Sequence, residues 1–113
     1  MITVHGIKNC DSVKKALKFL QENGIEYSFR DFKISPIDCN EIKEWLDHTT
    51  IDKLLNSKST TYRKLNLKEL SLTADKKIAW LCKENLLIKR PVIQYKSAII
   101  VGYDKDHYEM ELL

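Results

Sequence analysis

The chain has 113 residues, 43% hydrophobic and 31% charged, the balance of a globular protein with a core large enough to fold unaided. Nineteen basic residues against 16 acidic ones leave a net charge of +3, too even to imply direct nucleic-acid binding. No apolar run approaches the roughly 18 residues of a membrane span, and the start lacks a signal-peptide layout.

One domain, residues 1–113, is expected, in a monomer. Three cysteines, Cys10, Cys39 and Cys82, are far apart and odd in number. That usage suits a reducing cytoplasm and predicts no disulfide framework.

The apolar run Met1-Ile2-Thr3-Val4 opens a first strand, Ile2 to His5. From Ser12, the residues Val13, Ala16, Leu17 and Leu20 fall at helical spacing, with Lys14, Lys15 and Lys18 outward. Asn23-Gly24 ends that helix in the manner of a left-handed cap. Tyr27 to Phe32 alternates aromatic and polar residues and reads as a second strand, completing a β-α-β opening.

Ser35-Pro36 breaks the chain, and Asp38 or Asn40 can cap a helix carrying Ile42, Trp45 and Leu46. A shorter helix follows around Ile51 to Leu55. Asn56 to Thr61 has no apolar pattern and reads as a loop, and Leu65, Leu67, Leu70 and Leu72 belong to a short helical connection. Ala74 to Asn85 is a stronger helix with Ile78, Leu81 and Cys82 on one face, which makes Cys82 a core residue and leaves Cys39 incidental. Val92 to Gln94 and Ala98 to Val101 form two strands joined by a tight turn at Lys96-Ser97, before a closing helix from Asp104 to Leu113.

The residue that carries chemistry is Cys10. It stands between the first strand and the first helix, where free backbone N–H groups and the positive end of the macrodipole stabilise a thiolate. Lys8 adds a cation two residues upstream, and the neighbours Asn9, Asp11 and Ser12 are polar. His5, His48 and His107 are isolated from other ligand types, so no metal site and no bound cofactor is expected.

Three separated segments form a recognisable order: Gly6-Ile7-Lys8-Asn9-Cys10-Asp11 after the first strand, Leu54 to Leu65 in the middle, and Lys89-Arg90-Pro91-Val92-Ile93 before the hairpin ending Val101-Gly102-Tyr103. Together they resemble the ArsC family, which includes glutaredoxin-linked arsenate reductases, Spx regulators and YffB-like proteins, with the YffB-like branch the nearest in look. The resemblance implies an α/β, thioredoxin-like fold: a four-stranded mixed sheet flanked by helices, with a helical insert. It further implies that Pro91 is cis and sits with Arg90 beside Cys10, where the pair shapes a groove for an extended thiol peptide.

The same resemblance limits the chemistry. Holding an oxyanion against a thiolate needs several fixed cationic donors. The reductase branch uses three arginines, of which Arg90 carries over. The second falls at Asn56, with Lys58 nearby as a substitute, and the third at Gly102. Lysine replaces a planar bidentate fork poorly, so efficient arsenate reduction is not expected.

Cys10-Asp11-Ser12-Val13 lacks the second thiol of a C-x-x-C pair, and a C-x5-R site is excluded by Ala16. What remains is a single-cysteine thiol reductase or transferase using glutathione as co-substrate, with glutaredoxin as a further partner. Its catalytic residue is Cys10, and its substrate-binding residues are Lys8, Asn9, Lys58, Arg90 and Pro91. The rival is an Spx-like regulator that binds RNA polymerase without catalysis.

Overall fold

A computed structural model describes residues 2–113, so Met1 lies outside the described residues. In chain order the elements are β1 (Ile2–Gly6), α1 (Asp11–Glu22), β2 (Tyr27–Asp31), α2 (Cys39–Trp45), α3 (Ile51–Leu54) and α4 (Thr60–Lys64). They continue with α5 (Ala74–Lys83), β3 (Val92–Tyr95), β4 (Ala98–Val101) and α6 (Lys105–Leu112), with 3₁₀ turns at Leu67–Leu70 and Asn85–Leu87. They divide into two compact units, one running to Asp31 and resuming at Arg90–Leu113, the other Phe32–Lys89.

The first unit is the sheet. Its strand order is β2-β1-β3-β4. β1 runs parallel to β2, from Ile2 opposite Tyr27 to Gly6 opposite Asp31, and antiparallel to β3, with Val4 opposite Ile93 and His5 opposite Val92. β3 and β4 form an antiparallel hairpin whose turn is allowed by Lys96 at φ 55°. This is the expected four-stranded mixed sheet with helices in a thioredoxin-like arrangement.

The alternation of β1 delivers Ile2 and Val4 to a core shared with Ala16, Phe19 and Leu20 of α1, Ile93 and Ile100 of the hairpin, and Tyr108 of α6. The ring of Tyr108 meets Phe19 and Tyr103 edge to face, with centroids 5.5 and 5.3 Å away. Gly24, at φ 64°, supplies the left-handed cap that the Asn23-Gly24 pair predicts, and Ile25 N–H returns to the Leu20 carbonyl at 2.9 Å. β2 stops one residue short of the predicted end, and Phe32 turns into a buried position instead.

The second unit is built of short helices. Asp38, not Asn40, caps α2, its Oδ1 accepting the Glu41 N–H at 2.9 Å. Thr50, Ser59 and Thr73 cap α3, α4 and α5 in the same way, at 3.3, 3.1 and 3.3 Å. The Ser59 cap explains why the predicted loop 56–61 is wrong at its end: a side-chain oxygen starts α4 at Thr60 without any apolar period to announce it.

Helices α2 and α3 pack against α5, burying Ile42, Trp45, Leu54 and Leu81. The 54–56 and 87–89 segments pair like a minimal antiparallel ladder. Leu55 bridges Ile88, Asn56 N–H donates to the Leu87 carbonyl and Lys89 N–H to the Leu54 carbonyl, both at 2.8 Å.

Two of the three cysteines are paired, against the expectation of no disulfide. Cys39 and Cys82 are joined by a disulfide, with Cα atoms 4.9 Å apart. Cys82 is half-buried rather than core, and Cys39 is not incidental. The pair sits 43 residues apart in sequence, and only the side-by-side packing of α2 and α5 brings it together.

Candidate functional site

β1 ends at Gly6, and that glycine sets how closely the following helix can return. A Cβ added there would lie 2.8 Å from Cγ2 of Val13, on the buried face of α1. The connection between them is short. Ile7 is buried, Lys8 and Asn9 are exposed on a bend, and Cys10 is extended at φ −144° and ψ 123° before α1 begins.

Cys10 is thus the N-cap residue of a 12-residue helix. Its carbonyl accepts the Lys14 N–H at 3.0 Å, while its side chain makes no hydrogen bond to the first turn. All other α-helices among the described residues have a capping side-chain oxygen: Asp38, Thr50, Ser59, Thr73 and Asp104. The Cys10 thiol is free and half-exposed.

Arg90 and Pro91 enter β3 through a cis peptide bond, as the resemblance implies. The antiparallel register, His5 opposite Val92, puts the end of β1 beside the start of β3. The segment leaving β1 toward Cys10 and the Arg90-Pro91 segment therefore share one end of the sheet. Arg90 is half-buried with its Nε shielded from solvent, and Pro91 is buried.

The same end receives the close of β4. Gly102, buried at φ 83°, donates its N–H to the Pro91 carbonyl at 2.8 Å. Its own carbonyl accepts the Tyr108 hydroxyl at 2.6 Å. Tyr108 therefore acts on the proline through two hydrogen bonds and one glycine. Burial, aided by Tyr103 and Asp104, holds the Tyr108 phenol far above the ordinary tyrosine range, so it stays a donor.

Five of the six predicted site residues, Lys8, Asn9, Cys10, Arg90 and Pro91, belong to the sheet unit. Lys58 belongs to the helical unit, exposed on the loop before α4, where its N–H donates to Asn56 Oδ1 at 3.2 Å. Two supporting residues escaped the sequence reading, Gly6 and Tyr108. Gly6 had a signal, a glycine closing a strand directly before a helix. Tyr108 had none beyond being the aromatic of a mostly polar closing helix. Among the described residues no three His, Cys, Asp or Glu side chains gather as metal ligands, and no helix is long and apolar enough to cross a membrane.

A half-exposed thiol at a helix start, unbonded to the first turn, is placed to attack an electrophilic sulfur. An arginine at the same end of the sheet can bind an anionic substrate group.

Comparison with known proteins agrees with this arrangement. The model of the ArsC family matches residues 5–110. An uncharacterized protein of Haemophilus influenzae is 38% identical over 111 residues, covering 96% of each chain. The global transcriptional regulator Spx of Listeria innocua is 32% identical over 108 residues, covering 94% of this chain and 82% of its own. A solved YffB protein superposes at a TM-score of 0.92 with 32% identity, each chain covered in full. By motif order, sheet topology and these matches, the chain belongs to the ArsC family.

Proposed function

We propose that the protein is a glutathione-dependent thiol transferase or reductase working through Cys10 alone, as a cytoplasmic monomer with no bound cofactor. The observation that carries this reading is the thiol at the one α-helix start, among the described residues, whose cap side chain makes no bond to the first turn. On a glutathionylated substrate, the Cys10 thiolate attacks the glutathione sulfur. The substrate–glutathione disulfide breaks, the substrate leaves as thiolate, and a Cys10–glutathione disulfide forms. A second glutathione thiolate then attacks that bond, releasing oxidised glutathione and restoring Cys10. Glutaredoxin can serve in place of the second glutathione.

In this reading Arg90 and Lys8 hold the carboxylates of the thiol peptide, Pro91 and Asn9 shape its groove, and Lys58 assists. With Arg90 as the one arginine carried over from the oxyanion set, arsenate turnover is expected to be poor. The test is glutathionylation of the native protein by oxidised glutathione, read by mass spectrometry. One glutathione is expected on Cys10, none in Cys10→Ser. Arg90→Ala should slow the step about 10- to 150-fold, the equivalent of one charge-assisted hydrogen bond of about 1.5–3 kcal/mol. Brisk arsenate reduction with glutathione and glutaredoxin would overturn the reading.

The likeness to Spx favours one second reading, a non-catalytic regulator that binds RNA polymerase. Absence of glutathione from Cys10 together with co-purification of the polymerase α subunit would select it.

A further inference from the structure

We propose that the Cys39–Cys82 disulfide is a second thiol-exchange site, independent of Cys10, that small anionic thiols of the glutathione class open from a groove beside α5. The disulfide joins the first residue of α2 to the last turn of α5, and both cysteines are half-buried rather than sealed in the core. Cys82 forms part of the wall of a groove of about 330 Å³. Phe32, Pro36 and Ile37 supply apolar surface to that groove, and Lys33, Lys83 and Glu84 line it as well, the Lys83 ammonium resting 5.2 Å from the centre of the Trp80 ring. Those features suit a short thiol peptide with net negative charge: apolar contact for its backbone and a cationic rim for its carboxylates.

The exchange runs in two steps. A glutathione thiolate bonds to Cys82 Sγ, the Cys39–Cys82 bond breaks, and Cys39 leaves as thiolate. A second glutathione thiolate attacks the mixed disulfide, Cys82 leaves as thiolate, and oxidised glutathione departs. Both cysteines then take up protons given by the two attacking thiols. Oxidised glutathione drives the same steps backward.

The structural consequence falls on the segment before α2. That segment is fastened to the end of α5 by the disulfide at Cys39 and by Asn85. The Asn85 Oδ1 accepts the Ile37 N–H at 2.8 Å, and its Nδ2 donates to the carbonyls of Ile37 and Leu81 at 3.1 and 3.0 Å. Opening the disulfide removes the covalent one of these fastenings, so backbone protection across residues 33–38 should fall.

The experiment uses the full-length Cys10→Ser protein, so that its outcome does not depend on the function proposed for Cys10. Native protein is equilibrated with graded ratios of reduced to oxidised glutathione, quenched with acid, alkylated and weighed. The expected result is reversible conversion between disulfide and dithiol, with amide exchange across residues 33–38 rising in the dithiol form. In Cys39→Ser, glutathione should be trapped on Cys82. Lys83→Glu, with Lys83→Gln as the milder variant, should slow reduction by glutathione about two- to fivefold relative to reduction by the cationic thiol cysteamine. A disulfide that opens only after unfolding in urea would overturn the proposal. So would a dithiol that oxidised glutathione never closes, or a Lys83 variant that slows both thiols equally.

Discussion

The two units solve the problem of holding a helix in opposite ways. In the helical unit, α2 to α5 are four to ten residues long, and helices that short are marginal alone. Each begins at an Asp, Ser or Thr whose oxygen takes a first-turn N–H, and α2 and α5 are covalently joined as well. In the sheet unit, α1 is 12 residues long and buries Val13, Ala16, Phe19 and Leu20. Tertiary burial keeps that helix formed, so its cap position can hold a cysteine that does not cap. α6 shows that this is particular to α1 and not to the unit, since Asp104 caps it, accepting the His107 N–H at 3.2 Å. The lesson is that α1, anchored by its apolar face, holds its first turn without a side-chain cap, whereas each short helix of the other unit has one.

Five variants test this contrast. The largest effect should come from Cys39→Ala with Cys82→Ala. Releasing a closed loop of 43 residues should lower stability by about 4 kcal/mol on the chain-entropy estimate, read as a fall in the urea midpoint. Next is Gly6→Ala. Its new methyl would meet the stiff, β-branched Val13 at 2.8 Å, and relieving that clash should destabilise by about 1–3 kcal/mol. Because the displaced backbone leads into Cys10, alkylation of Cys10 by iodoacetamide should also change in rate.

A smaller effect is expected from Tyr108→Phe, which leaves the Gly102 carbonyl without its phenol donor and should weaken the fold by about 1 kcal/mol near neutral pH. Here the pH dependence has a definite sign. The folded state keeps Tyr108 protonated well above the value of 10.0 at which an exposed tyrosine ionises. The unfolded chain therefore loses that proton first. Stability from this group is complete below pH 10 or so and declines as pH rises beyond it, a slope the phenylalanine variant should lack.

The smallest pair tests the caps directly. Thr73→Ala should cost α5 about 1 kcal/mol, whereas Cys10→Ser should strengthen α1 by up to about 1 kcal/mol while removing the free thiol. A cysteine site that gains stability when it loses its sulfur would show that the cap position is held for function.

Much of the sheet unit was readable from sequence because its pairing follows two periods, alternation in the strands and 3.6 in α1. The Cys10 position was readable for the same reason, at the junction between those periods. The helical unit was less legible. α4 has no apolar stripe and exists through the Ser59 cap, and α5 ends at Lys83, two residues short of the predicted end, because a 3₁₀ turn takes over at Asn85. The disulfide was misread because it depends on which helices lie side by side, and neither cysteine carries a local mark of its partner. Tyr108 was missed because its role passes through backbone atoms of Gly102, and backbone acceptors leave no trace in sequence.

Gly102 also bears on what this chain could become. The resemblance drawn from the sequence sets the third arginine of the reductase branch at this place, and here the backbone sits in the left-handed region at φ 83°. An L-residue installed there pays roughly 1–2 kcal/mol for that conformation. Returning it to a right-handed one would disturb the amide bonded to Pro91 and the carbonyl bonded to Tyr108. An arginine at this position would therefore carry a conformational cost along with its charge, as Lys96 does in the hairpin turn at φ 55°. In this chain a backbone torsion, as well as the supply of positive charge, weighs against a cationic side chain at that position.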